Sequence, residues 1–409
     1  MGVSWDALDF NQTVRDFDFT RRAIRRVNSV VYSPEFEEMD SDAIFKALFE
    51  EMQLVPFNSF LKRYIYERAM IDEPFSQVDD EVYRDILMGS FEENNAPHSF
   101  EPTSTKWSAT VKGWLRQDSV KRSTVFLLGF GLRMQPEDVS EFLTKVLLED
   151  DFRTADAEEV VYWYCYKNSL RYSRATKLLE KQAVCETDDI TDVPVKTADN
   201  KVTSCEFLSE RITDEESLLK YLAGLKKAGI GETRKNRIYE EFDELVLRAK
   251  ASIAKMYQQD EAEEKGTRVW TAADITSSDL EKVISCGIPV NQKGNLQKMS
   301  DSVLSGHFQQ KRLSRQRIDK IRNRELTADR FDLITLLFFV YSQEEIEEEP
   351  EVRCRKFIDE INGILNRCSM HDLYVVNPYE SFVLMCLLSE VPLATYADIW
   401  DMSYSSKGA

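Results

Sequence analysis

The strongest chemical signal in the sequence is a concentration of positive charge at residues 293–324. This segment holds nine basic residues against two acids, in a chain whose formal net charge is −19. Lys and Arg side chains at such density suit phosphate groups, because they neutralise the backbone of a nucleic acid. The basic residues are Lys293, Lys298, Lys311, Arg312, Arg315, Arg317, Lys320, Arg322 and Arg324.

A second concentration of positive charge lies at residues 106–133, where six basic residues stand against Asp118 alone. Four of them, with the cluster above, are candidates for contacts to nucleic acid: Lys112, Arg116, Lys121 and Arg122. The acidic total excludes a uniformly basic binding protein. An alternative interpretation stays open for both clusters, in which the basic side chains face acids elsewhere in this protein or a protein partner.

The elements that would position these side chains are short helices. We expect one helix at 300–308, a turn at 309–312, and a second helix that starts at Leu313 with Ser314 as its N-cap. Ile318 and Ile321 share one face of this second helix, so its polar residues project elsewhere. Two short helices joined by a tight turn are a common device for placing side chains in a major groove.

A strongly apolar helix is predicted behind each basic cluster. Residues 318–324 precede an apolar stretch at 333–339, and residues 111–116 precede a similar stretch at 125–130. Each of these two segments is predicted to form a short basic helix, a polar connection and an apolar helix. The two units match with a gap of one residue, which indicates a weak internal repeat.

The segment at 300–341 resembles the helix-turn-helix of λ-repressor/XRE-type DNA-binding domains. The match is carried by the run LSRQRIDKIRNRELT at 313–327, followed by Phe331–Ile334, and a weaker match covers 105–147. The turn glycine common in that family is replaced by Gln309–Arg312. The whole chain is similar to bacterial all-helical proteins, a likeness that implies no activity.

The resemblance implies roles for individual residues. Those at the start of the recognition helix would contact base edges: Arg315, Gln316 and Arg317. Those around them would contact phosphates: Lys311, Arg312, Lys320, Arg322 and Arg324.

The composition predicts an all-α fold. Only 14 glycines and 11 prolines interrupt 409 residues, and apolar residues recur at helical spacing almost throughout. We expect two multi-helix domains, each with a helix-turn-helix-like unit. The predicted boundaries are 1–185 for the first domain, 186–205 for a polar linker or long loop, and 206–409 for the second domain.

The sequence offers little for enzyme chemistry. It has no phosphate-binding loop, no nucleophile elbow and no zinc-protease motif, and its seven cysteines form no CxxC pair. We therefore expect no cofactor, no metal and no catalytic residue. Gly129 and Gly131 indicate close helix packing, and Cys165 and Cys386 read as buried apolar residues. Arg367 and His371 form only a defective match to a helical ribonuclease motif.

These observations favour a non-enzymatic, cytoplasmic, bacterial regulator that binds DNA or a nucleoprotein complex. The alternative is an acidic helical inhibitor or adaptor, which mimics nucleic acid or binds a nuclease or polymerase. No apolar stretch approaches the roughly 20 residues that cross a bilayer, so a membrane partner is not expected. The oligomeric state stays open.

Overall fold

The computed structural model describes residues 40–51, 55–184, 203–227, 230–263, 267–305, 307–308, 311–344, 348–368, 370, 372–374 and 377–405. Seventeen α-helices run through these residues, and no β-strand occurs among them beyond one antiparallel bridge between Val290 and Leu296. The predicted all-α fold is confirmed.

The helices of the first half are α1 (Ser41–Lys46), α2 (Phe57–Arg68), α3 (Asp80–Glu93), α4 (Trp107–Trp114), α5 (Arg122–Gly131), α6 (Pro136–Glu141), α7 (Ala157–Lys167), α8 (Tyr172–Val184), α9 (Ser204–Arg211) and α10 (Glu215–Lys227). Those of the second half are α11 (Ile230–Glu263), α12 (Ser277–Ile284), α13 (Arg315–Arg322), α14 (Arg330–Glu344), α15 (Pro350–Arg367), α16 (Pro378–Leu388) and α17 (Pro392–Ser405).

The chain divides into two compact units at places that differ from the expected boundaries. The first unit takes its described residues from 54–232, and the second takes them from 24–53 and 233–409. Helices α9 and α10, which we expected in the C-terminal domain, instead belong to the first core, where Leu208 and Leu222 are fully buried. Their inward faces are apolar, so they pack on that core although a polar segment precedes them.

Helix α1 belongs to the second unit, against its place in the predicted N-terminal domain. It contacts α17, and Ile44 and Leu48 are buried in the second core. Asp40 caps the helix, because its side chain accepts a hydrogen bond from the amide of Ala43 at 2.8 Å. The predicted boundaries therefore misplaced α1 at one end of the first unit and both α9 and α10 at the other.

Each unit contains a set of six helices in which the same pairs of helices are neighbours, with an additional contact between α14 and α17 in the second set. In the first six-helix set (α3 to α8), α3 contacts α4 and α5, α5 contacts α6 and α7, and α7 contacts α6 and α8. In the second six-helix set (α12 to α17), α12 contacts α13 and α14, α14 contacts α15 and α16, and α16 contacts α15 and α17. The structure thus extends the weak sequence repeat from two helices to six.

The third and fifth helices of each set are apolar on all sides. Helices α5, α7, α14 and α16 are buried along almost their whole length. A helix without a polar face must be surrounded by others, so these four form the centre of the two cores. The second and fourth helices of each set lie around them.

One buried ion pair recurs at the same place in both sets. Arg122, the first residue of α5, donates to both carboxylate oxygens of Glu159, at 2.9 and 2.7 Å. Arg330, the first residue of α14, does the same to Glu380, at 2.6 and 2.9 Å. Each glutamate is the third residue of the fifth helix. We call these pairs the first and second Arg–Glu nodes.

The surroundings of the two nodes also agree. The amide six residues before each glutamate donates to it, from Arg153 at 2.8 Å and from Tyr374 at 2.6 Å. Each fifth helix is capped by a side chain that accepts two amide hydrogen bonds, one of them from the glutamate: Asp156 in the first set and Asn377 in the second. The agreement in partners indicates two copies of one helical module.

Candidate nucleic-acid interface

Helix α13 forms where the basic sequence predicted the recognition helix. Ser314 is its N-cap, and its hydroxyl accepts a hydrogen bond from the amide of Arg317 at 3.3 Å. Ile318 and Ile321 are fully buried, so their face is turned inward as predicted. Arg315, Gln316 and Lys320 are exposed on other faces of the helix.

The first helix of the predicted helix-turn-helix is not formed. In the described residues of 300–308, a single 3₁₀ turn at Met299–Asp301 is followed by irregular turns. The segment is held from outside instead: the hydroxyl of Ser302 donates to the hydroxyl of Ser403 at 2.8 Å, and the amide of Val303 donates to the carbonyl of Ser403 at 2.9 Å. These long-range bonds compete with helical ones.

Helix α12 precedes α13 in the chain and contacts it. The connection between the two helices, 285–314, has 30 residues. A helix pair separated by so long a connection is not the tight two-helix unit that the resemblance implies. Residues 309 and 310 of the predicted turn lie outside the described residues.

Arg317 was expected at base edges, and the structure places it in a buried ion pair. Its Nε and Nη2 donate to the two carboxylate oxygens of Asp332, at 2.6 and 2.7 Å. Nη2 also lies 3.2 Å from Asp329. Burial lowers the pKa of the guanidinium, but the hydrogen bonds and charge of Asp332 outweigh it and raise that pKa above its ordinary value. Arg317 therefore links α13 to α14.

Two further cations of this cluster are also engaged within the protein. The Nζ atom of Lys311 lies 3.5 Å from Asp329, and Nη2 of Arg312 lies 3.6 Å from Glu281. Arg312 also donates to the carbonyl of Gln297 at 3.3 Å. Both side chains are about three-quarters covered, so they contribute less to an outer surface than the sequence suggested.

Four of the sequence candidates in the second set are exposed: Arg315, Lys320, Arg322 and Arg324. Arg315 lies 3.7 Å from Asp319 one turn on, an exposed contact of little energetic weight. Arg324 lies 2.6 Å from Asp243 and over the ring of Tyr239, 4.4 Å from its centre. These four side chains form what we call the second basic surface.

The cluster in the first set shows the same division between exposed and internal cations. Lys112, Arg116 and Lys121 are exposed, and we call them the first basic surface. Arg122 is not part of any outer surface, because it forms the first Arg–Glu node and also donates to the carbonyl of Asp151 at 2.8 Å. Arg122 was among the sequence candidates for contacts to nucleic acid, and its position at the start of an apolar helix was the signal that it is internal.

Glu159 shows how strongly the first node is formed. Burial raises the pKa of this carboxyl, but the charges of Arg122 and Arg153 outweigh burial and hold its pKa below the ordinary value of 4.5. An ionised carboxylate is therefore stable in the core, with a bidentate arginine as its partner.

The structure bears out two smaller predictions. A Cβ atom on Gly129 would lie 2.7 Å from the ring of Tyr166, and one on Gly131 would lie 1.9 Å from Phe91, so both glycines permit close packing. Cys165 and Cys386 are fully buried, and burial raises the pKa of the Cys165 thiol to about 12. Neither thiol is placed as a nucleophile.

The structure describes only one member of the Arg367/His371 pair that the sequence singled out. Arg367 donates to both oxygens of Glu241, at 2.5 and 2.9 Å, and His371 lies outside the described residues. The described part of the chain contains no group of three or more side chains suited to a metal ion. None of its helices is long and apolar enough to cross a bilayer.

No protein-family model, no curated protein and no solved structure matches the chain. The similarity between the two six-helix sets relates two parts of this chain and does not involve another protein.

Proposed function

We propose that the protein is a cytoplasmic, non-enzymatic regulator that binds DNA, alone or in a nucleoprotein complex, through the exposed cations of α4 and α13. One observation carries the proposal. The same helix of both six-helix sets, with the connection that follows it, exposes several Lys and Arg side chains, while the neighbouring Arg122 and Arg317 are neutralised internally.

The division between internal and exposed cations supports the proposal on physical grounds. Arg317 holds the basic helix α13 against α14, and Arg122, which follows the connection after α4, holds the start of α5 against α7. The exposed cations then lie on firmly held elements, which reduces the entropy lost on binding. A phosphate backbone is a suitable ligand, because contacts to it require charge and position and need no deep pocket.

The proposed contacts do not depend on a helix-turn-helix. With the first helix absent from 300–308, base-edge contacts by Arg317 are not proposed. Arg315 and Gln316 remain exposed at the start of α13. The binding that we propose is therefore dominated by phosphate contacts, and such binding falls steeply with salt.

The test is a salt titration of binding to a fluorescent DNA duplex, read by anisotropy. Five neutralised phosphates would give a log–log slope of roughly −4 to −5. We expect Lys320→Glu/Arg322→Glu to lower affinity by at least about tenfold at low salt and to flatten the slope by roughly 2.

A matched control reverses two exposed cations on another helix of the same unit, Arg355→Glu/Lys356→Glu on α15. It makes the same change in net charge, so it should alter affinity by no more than about twofold if the position of the charge matters. Equal losses of affinity in both variants would show that the effect depends on net charge and not on the position of the charges. Absence of wild-type binding at low salt would contradict the proposal and leave the inhibitor or adaptor alternative.

A further inference from the structure

The two basic surfaces occupy the same element of a repeated module. In the first set, Lys112 lies on the eight-residue helix α4, and Arg116 and Lys121 lie on the connection that follows it. In the second set, Arg315, Lys320 and Arg322 lie on the eight-residue helix α13, with Arg324 on its connection. Both connections have seven residues, 115–121 and 323–329.

The inward faces of these helices are also alike. Val111 and Trp114 are buried in α4, and Ile318 and Ile321 are buried in α13. Each pair is separated by three residues, so each helix turns one apolar stripe to its core and leaves its cations on other faces. The residue after each connection is the arginine of an Arg–Glu node, which fixes the start of the third helix against the fifth helix of the set.

Because each basic surface has its own supporting core, neither requires the other in order to be formed. The contacts that hold the first surface, including the first node, lie within the first unit. Those that hold the second, including the second node and the Arg317–Asp332 pair, lie within the second unit. Two complete supports argue for two sites.

We infer that one chain carries two separate phosphate-binding surfaces, each of which takes its own segment of duplex DNA. This inference rests on the proposed function and adds the number and independence of the sites. The first surface has three exposed cations and the second has four, of which Arg315 and Arg324 also contact the half-exposed acids Asp319 and Asp243. Each surface therefore fits the phosphates of about half a helical turn.

The experiment is a calorimetric titration of the full chain, at low salt, with a DNA duplex of about 10 base pairs, one helical turn. So short a duplex offers few phosphates beyond those that one surface of this size contacts, and the stoichiometry counts the sites. We expect two duplexes for each wild-type chain.

Matched triple reversals then remove one site at a time. We expect Lys112→Glu/Arg116→Glu/Lys121→Glu and Arg315→Glu/Lys320→Glu/Arg322→Glu each to leave one duplex per chain, and the combined variant to leave none. The control Lys255→Glu/Arg355→Glu/Lys356→Glu should keep two. Gln versions of the same triples, with circular dichroism, separate loss of binding from loss of folding.

The outcomes distinguish this inference from the proposed function. A wild-type stoichiometry of one, or a stoichiometry of two that only one of the triples reduces, overturns the inference while DNA binding stands. If the wild-type chain binds neither this duplex nor a longer one, the proposed function is contradicted, and the inference of two sites fails with it.

Discussion

Helices α4 and α13 hold the same place in two similar six-helix sets, yet different forces attach them. In α4 the attachment is aromatic: the rings of Trp107 and Trp114 lie 4.8 and 5.8 Å from that of Phe91 on α3. In α13 it is ionic, through Arg317 and Asp332, with Lys311 and Asp329 beside them. The comparison shows that the module can anchor its outer helix in two ways.

The common and the variable parts of the module have different physical weights. The Arg–Glu node lies between the central helices and is the same in both sets, whereas the anchor of the outer helix is not. Aromatic contacts respond little to pH or salt, whereas clustered carboxylates and cations respond to pH. The two basic surfaces should therefore differ in the conditions under which they stay in place.

The largest effect is expected from breaking a node. Glu159→Ala and Glu380→Ala each remove the carboxylate to which a buried arginine donates two hydrogen bonds, although Arg122 keeps Glu149 at 3.7 Å. Each substitution should lower the free energy of unfolding by roughly 3–5 kcal/mol. Urea unfolding followed by hydrogen exchange with mass spectrometry would assign each loss to its unit. If the nodes are equivalent, the two losses should agree within about 1 kcal/mol.

The control for the nodes is Glu348→Ala, which breaks a contact of 2.8 Å to Lys356 between half-exposed side chains. We expect a loss of less than about 1 kcal/mol there. A node variant that behaves like this control would show that its ion pair is not required for the core, and the likeness of the two sets would then be one of shape only.

A smaller effect should separate the two anchors. Asp332→Ala removes both partners of the bidentate contact from Arg317, whose side chain is about one-quarter exposed and can turn to solvent. We expect a loss of about 2–3 kcal/mol, confined to the second unit. The third residue of α5, at the matching position, is Thr124, and Thr124→Ala should change stability by less than about 0.5 kcal/mol.

Hydrogen exchange in α13 is the measurement that makes this contrast specific. Loss of Asp332 should raise exchange in α13, while Thr124→Ala should leave α4 protected by its tryptophans. Equal exchange in α13 with and without Asp332 would mean that Ile318 and Ile321 alone hold the helix.

Local features of the fold were predictable from the sequence. Ser314 as an N-cap and the inward Ile318 and Ile321 follow from helix rules that act over three or four residues, and all three were correctly placed. The apolar helices behind them were also correct, because a long apolar run has few alternatives in a protein of this composition.

Features that depend on distant partners were not predictable. Arg122 and Arg317 were taken as outer cations, because Glu159 and Asp332 lie 37 and 15 residues further along the chain. The helix expected at 300–308 failed for the same reason, since Ser302 is bonded to Ser403, 101 residues away. A charged residue at the first position of an apolar helix is the signal that would have identified the nodes.

The smallest effect is expected in the pH at which each six-helix set loses stability in acid. Glu159 has a pKa below its ordinary value of 4.5 in the folded protein, so its stabilising contribution is complete above that pH and is lost as the pH falls below it. In the second set, the neighbouring carboxyls Asp329 and Asp332 shift in opposite directions: Lys311 and Arg317 outweigh burial and hold the pKa of Asp329 below its ordinary value, whereas burial and the charge of Asp329 raise the pKa of Asp332 above it. The stabilising contribution of Asp329 is lost only as the pH falls below 3.8, and protonation of Asp332 at a higher pH favours the folded state. We therefore expect the first set to lose protection from hydrogen exchange at a higher pH than the second.

Glu159→Gln should weaken the dependence of stability on acid pH in the first unit alone, as measured by near-ultraviolet circular dichroism and hydrogen exchange. Loss of both sets at one pH, unchanged by this substitution, would show that Glu159 does not control the acid transition of the first set.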